Sequence, residues 1–278
     1  MPRLSLLVLL LGLSGCKLGL DYTADETGLE RASIQVPGAP ERELSYLVHG
    51  DPADQRLIFV HGSPGNSQAY AQYMRTPVPG LETVAVDRLG YGASWSEEAV
   101  VSFEEQAAAI APLLVEREGG WPIVVGHSLG GPIAARLAAD HPDRVDGLII
   151  VAGSLNAELE DVRWYQRLAG SWIVYPFLAD FLQRATVEMF ACKEQVELLD
   201  EVLDEIRCPV VVIHGTRDGL VPFEAVEYTI ERFAEELEVY VVVLVGEGHS
   251  VTALRDEEVR ETILEMRDHL LRPGELPE

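Results

Sequence analysis

The chain is poor in positive charge. Its 278 residues hold 21 Lys and Arg against 46 Asp and Glu, a formal net charge of −25. A surface of that sign repels a phosphate backbone, which excludes nucleic acid as a partner. Cysteine is scarce, with three in the chain. Neither Cys-x-x-Cys nor His-Glu-x-x-His occurs, so the common zinc patterns are absent and no metal is expected. A phosphate-cradling loop and a dinucleotide glycine fingerprint are also missing, and no cofactor is implied. No internal repeat is found, which excludes solenoids and propellers. Long apolar runs are confined to the N-terminus, and nothing near the far end resembles a second membrane span. What remains is ordinary for a globular protein: 47% hydrophobic and 24% charged residues. The length suits one large domain, or one domain with an insertion.

The N-terminus reads as an address. Met1-Pro2-Arg3 is short and basic, and Leu4 to Leu13 is apolar apart from Ser5 and Gly12. That run is too short to span a bilayer but fits the apolar region of a secretory leader. Leu13-Ser14-Gly15-Cys16 follows and resembles a bacterial lipobox. The resemblance implies removal of residues 1–15 and acylation of Cys16, giving a membrane partner through a lipid anchor. Lys17, where an Asp would retain the protein, points to the outer membrane of the cell envelope by the enterobacterial sorting pattern. Residues 16–31 are polar and read as a tether. Cys192 and Cys208 remain, either paired as a disulfide or buried as two small side chains.

Further on, buried strands alternate with helices. Ala32–Val36 and Glu43–Val48 alternate in polarity and read as an antiparallel pair around Pro37-Gly38-Ala39-Pro40. Leu57–Val60, Thr83–Val86, Pro122–Val125, Gly147–Val151, Pro209–Ile213 and Val239–Val245 are apolar runs suited to strands buried on both faces. Phe103–Glu118 has helical spacing, with Ser102 as N-cap and Glu105 completing a capping box. Leu129–Asp140 reads as a second helix. The alternation predicts an α/β fold, a doubly wound, mostly parallel sheet with helices on both faces. From Ser154 to Arg207 no buried strand appears, and the sequence is helical and aromatic-rich. It reads as an insertion that splits the core into residues 32–153 and 207–278. Most of its aromatics are expected in its own interior, and a few along an apolar pocket.

Gly126-His127-Ser128-Leu129-Gly130 matches G-x-S-x-G, placed after a buried strand and before a helix. A tight strand-to-helix turn needs those glycines because β-carbons would strike the neighbouring backbone. Serine is a weak nucleophile until a base takes its proton. Of seven His residues, His249 lies in the loop after the last strand, over the strand ends where Ser128 also sits. His127 adjoins the serine, and neighbouring side chains on a sharp turn diverge. The base needs an acid to hold its tautomer, and Asp218 follows a buried strand. Ser128, Asp218, His249 is the Ser…Asp…His order that accompanies such an elbow. Asp87 and Asp146 precede the elbow or lie too near it in sequence. Developing charge on a carbonyl oxygen needs preorganised donors. Leu129 N–H, at a helix start, is one; Ser63 N–H is the other, since Pro64 has none.

Taken together, His61-Gly62-Ser63-Pro64-Gly65, Asp87-Arg88-Leu89-Gly90-Tyr91-Gly92-Ala93-Ser94, the Ser128 elbow, the Asp218 turn and Gly248-His249 resemble the α/β-hydrolase superfamily over roughly residues 40–272. The resemblance implies an eight-stranded sheet and a helical cap over 154–206. It gives Asp87 a structural role. It implies hydrolysis of a carboxylic ester, lactone, thioester or related acyl bond of a small molecule. Ser at position 128 departs from haloalkane dehalogenases and epoxide hydrolases, which use a carboxylate nucleophile. The elbow lacks the Gly-Gly-Ser-Trp-Gly of proline iminopeptidases. No long apolar lid suggests a triglyceride lipase. Haloperoxidase or perhydrolase chemistry, carbon–carbon hydrolysis and a non-catalytic binding role fit the same framework.

Overall fold

The computed structural model describes residues 28–269, except 97, 234–236 and 238. The leader, Cys16 and the tether up to residue 27 lie outside the described residues. In chain order the elements are β1 (Glu30–Val36), β2 (Ala39–His49), β3 (Gln55–Val60), α1 (Ala71–Arg75), β4 (Leu81–Val86), α2 (Phe103–Ile110), β5 (Ile123–His127), α3 (Gly130–Asp140) and β6 (Gly147–Val151). Then come α4 (Trp164–Ala169), α5 (Asp180–Asp200), β7 (Val210–Gly215), α6 (Glu224–Phe233), β8 (Val239–Leu244), α7 (Val251–Leu254) and α8 (Asp256–Arg267). One eight-stranded sheet runs in the order β1-β2-β4-β3-β5-β6-β7-β8. β1 and β2 are antiparallel, as is β2 with β4; every later pairing is parallel.

Alternation along each strand sends side chains to opposite faces, and each face has its own apolar layer. Ile58, Val60, Val124, Leu148 and Ile150 pack under α2, α3 and α5. Leu57, Phe59, Val125, Ile149 and Val151 pack on the other side against Tyr70, Tyr73 and α8. A sheet covered on both faces explains why these strands read as unbroken apolar runs.

Two sequence expectations change. The helix begun at Phe103 stops at Ile110 rather than Glu118 and tightens into a 3-10 turn over Ala111–Leu113. Pro112 lacks the N–H that an α-helix would require there, and its ring opposes the preceding turn. The start is as expected, with Ser102 Oγ accepting from Glu105 N–H at 3.2 Å. The Glu105 side chain pairs with Arg42 instead of closing the box. The insertion's aromatics also differ from expectation. Trp172 (85% exposed), Trp164 (70%) and Phe177 (69%) face outward. Between β6 and β7 the short α4 and the 21-residue α5 leave these three side chains on the outer surface. Tyr165 does line the cavity beneath the insertion.

Candidate active site

Ser128 sits between β5 and α3 with φ of 53°, in the left-handed region. Few non-glycine residues adopt it, and a strained backbone of this kind clusters at functional sites. The surrounding contacts hold it there. Ser128 N–H donates to Val151 O at 2.9 Å, and Gly131 N–H donates to Ser128 O at 2.8 Å. A β-carbon on Gly126 would lie 2.2 Å from Gly130 O, and one on Gly130 would lie 2.2 Å from Val60 O. The two glycines of the motif are therefore steric necessities of the turn.

The ends of β5, β7 and β8 bring Ser128, Asp218 and His249 together. His249 Nε2 lies 2.9 Å from Ser128 Oγ, and His249 Nδ1 lies 2.7 Å from Asp218 Oδ2. Asp218 Oδ1 accepts Leu220 N–H at 2.8 Å and Val221 N–H at 2.9 Å. Burial would raise the Asp218 carboxyl. The bond and charge of His249, with the two backbone donors, outweigh it and hold the group below its ordinary 3.8. The carboxylate is thus ionised, and it fixes Nδ1 of His249 as the protonated nitrogen, leaving Nε2 to accept from the serine.

His127 supports this loop from below. Its Nε2–H donates to the His249 carbonyl at 3.0 Å. Burial first, then the neighbouring His249, lowers it from 6.5 to about 4, so it stays neutral. His214 Nε2 bonds Val221 O at 3.1 Å, behind Asp218. The alternative acids are engaged elsewhere. Asp87 accepts Ser67 N–H at 2.7 Å and Ala93 N–H at 3.0 Å and pairs with Arg31 at 2.6 Å. Asp146 accepts Trp121 N–H at 2.8 Å.

Loop 61–65, after β3, lies directly on the elbow. A β-carbon on Gly62 would stand 2.8 Å from Ser128 Cβ. Ser63 follows Gly62 in this loop, and Leu129 precedes the first residue of α3; both line one cavity with Ser128. The cavity, of about 690 Å³, is also lined by His249 and by apolar side chains including Leu159, Leu178, Leu182 and Met189. That size and lining suit a small, partly apolar molecule.

The Alpha/beta hydrolase family model matches residues 57–262. The chain belongs to this family. Among relatives, Esterase Rv0045c of Mycobacterium tuberculosis is 36% identical over 135 residues, 48% of this chain and 44% of that protein. The chain thus spans less than half the length of that relative. A putative carbamate hydrolase, RutD of Caulobacter sp., is 26% identical over 247 residues, covering 76% of this chain and 91% of its own. In three dimensions, the structure of a thermophilic esterase aligns with a TM-score of 0.66 at 21% identity, over 87% of this chain and 98% of that one. At that identity the last similarity speaks to fold alone. Family membership and the shared fold place the chain among the α/β-hydrolases.

Other residues near the site escaped the sequence reading. Arg163, ahead of α4, donates to Gly219 O at 2.7 Å and Leu220 O at 2.9 Å, gripping the turn that holds Asp218. Glu188 of α5 pairs with Arg88 at 2.7 Å. Arg88 and Tyr91 stand in the Asp87–Ser94 motif. Glu188 carried no such mark beyond being a carboxylate beside Met189 and Phe190.

Proposed function

We propose that the protein is a serine hydrolase that cleaves a carboxylic ester or related acyl bond of a small molecule. The observation that carries this reading is the unbroken chain of hydrogen bonds from Ser128 Oγ through His249 to Asp218, opening on a mostly apolar cavity. The esterase name of the Mycobacterium relative agrees with it. In the proposed reaction, Ser128 Oγ attacks the acyl carbon while its proton passes to His249 Nε2. Asp218 stabilises the imidazolium without taking its proton. Ser63 and Leu129 N–H groups hold the oxyanion. His249 then protonates the departing alkoxide, leaving an acyl-serine. Water, deprotonated by His249, attacks that ester and releases the acid, restoring Ser128.

Activity profiling against esters of graded acyl length tests the reading, with Ser128→Ala as control. A fluorophosphonate should label wild-type protein on Ser128. Ester turnover that survives Ser128→Ala would sink the proposal.

The leader pattern supports a second part of the proposal, that Cys16 is acylated and tethers the catalytic domain to a membrane of the cell envelope. Palmitate feeding with fractionation tests it. An unlabelled wild-type protein in the soluble fraction would overturn the anchor and leave the hydrolase reading standing.

A further inference from the structure

Glu188 is buried, and so are Arg88 and Tyr91, which hydrogen-bond to it. Arg88 Nη1 donates to Oε1 at 2.7 Å and Nη2 to Oε2 at 3.2 Å, while Tyr91 O–H donates to Oε2 at 2.6 Å. The Arg88 side chain is fully buried and that of Glu188 is 3% exposed. A buried ion pair of this kind adds little to stability, because desolvation offsets the attraction. None of these three groups takes part in the proposed reaction steps.

Two routes lead from this pair to the loop on Ser128. Along the first, Arg88 Nη2 also donates to Gly62 O at 3.1 Å. His61 Nδ1–H reaches the same oxygen at 2.7 Å, and Arg88 N–H donates to His61 Nε2 at 3.1 Å. Along the second, Ser63 Oγ and Tyr91 Oη lie 3.0 Å apart. Tyr91 has one hydroxyl proton, and it goes to the carboxylate, so Ser63 is the donor.

Gly62 C=O and Ser63 N–H share one peptide plane. That peptide is trans; the cis bond in this loop is the next one, Ser63–Pro64. In a trans peptide the carbonyl oxygen and the amide hydrogen point in opposite directions. Holding the Gly62 oxygen on the Arg88 side therefore aims Ser63 N–H away from it.

We propose that Glu188 is a positioning residue. Through Arg88 and Tyr91 it fixes the Gly62–Ser63 peptide so that Ser63 N–H is held ready for the oxyanion, and it thereby makes the insertion a working part of the oxyanion hole. The proposal rests on the serine-hydrolase reading above.

Two variants test it. Arg88→Met with Glu188→Met removes both charges together, so neither is left buried and unpaired. Tyr91→Phe removes only the hydroxyl. Kinetics with an ester, active-site titration with a fluorophosphonate, inhibition by a trifluoromethyl ketone, and hydrogen exchange at Gly62, Ser63 and Gly65 are measured on each. The double variant should lose roughly 10- to 100-fold in kcat, below the cost of deleting a donor outright. KM should stay within about twofold, because ground-state binding is untouched. The inhibitor constant should rise in step with the loss of kcat/KM, and the loop amides should exchange faster. Tyr91→Phe should show the same pattern at about three- to tenfold, and it decides the matter alone if the double variant does not fold. Wild-type kcat per titrated site, or an effect confined to KM, would overturn the proposal. So would unchanged loop exchange, which reads the strut even if the wild-type protein proves unreactive to the fluorophosphonate and the hydrolase reading fails.

Discussion

Gly62 stands against Ser128 with no room for a side chain. A β-carbon there would lie 2.8 Å from Ser128 Cβ, 3.1 Å from His127 O and 3.4 Å from Ser128 Oγ. Gly62→Ala must therefore push the loop off the elbow or turn the serine from His249. Turnover should fall by about 100-fold, the scale of a 1 Å misplacement. Steady-state kinetics normalised to folded protein check this, and near-wild-type kcat would show that the loop yields freely.

Ser128→Ala should lower turnover by roughly 10³ to 10⁶, since members of such a constellation act as a unit. His249→Ala should cost about as much, and adding it to Ser128→Ala should cost little more. Single-turnover assays of the three proteins decide between this and additive losses.

Acid should destabilise the fold in a defined window. Burial, with Arg88 next, holds His61 well below 6.5; burial holds His214 below 6.5 and brings His127 to about 4. Above the unfolded value of 6.5 both states are neutral, and these groups contribute nothing to the pH dependence. Below it the unfolded chain takes up protons that the folded protein refuses, so stability falls as pH falls. Each such proton steepens the loss by about 1.4 kcal/mol per pH unit. The urea midpoint should be level above pH 6.5 and drop toward pH 4. His127→Gln should flatten that slope by about one proton; an unchanged slope would remove His127 from the account.

Cys192 and Cys208 are free and buried, which resolves the alternative that the sequence left open. Burial, followed by the charge of nearby Glu160, raises the Cys192 thiol well above 9.0. Burial pushes Cys208 up to about 12. Both should resist iodoacetamide in native protein and react in denaturant, read at the two peptides by mass spectrometry. Modification of either in the native state would count against this packing.

Much of this was legible because short-range sterics write themselves into sequence. Gly126 and Gly130 are spaced by the turn they permit, and unbroken apolar strands record a sheet covered on both faces. Pro112 is a signal of the same local kind, and it ends α2 early. The outward Trp164 and Trp172 could not be foreseen, because hydrophobicity alone does not say which way a side chain faces. Glu188 was hidden for another reason. Its partner Arg88 lies 100 positions earlier, and no periodicity links residues that only tertiary packing joins.

The insertion leaves the sheet after β6 and returns at β7, two strands that pair from Leu148↔Val210 onward. Such a loop-out invites exchange between relatives as a ready-made module for changing substrate. In this protein the graft would have to satisfy a second specification. Arg163 reaches down to the Gly219 and Leu220 carbonyls, beside the Asp218 turn, and Glu188 reaches Arg88. A transplanted segment without those two side chains would bring a new binding wall to a core whose carboxylate turn and serine-facing loop had each lost a tether. Diversification of the segment is therefore constrained at two points, Arg163 at the cavity wall and Glu188 behind it, whose partners belong to the core.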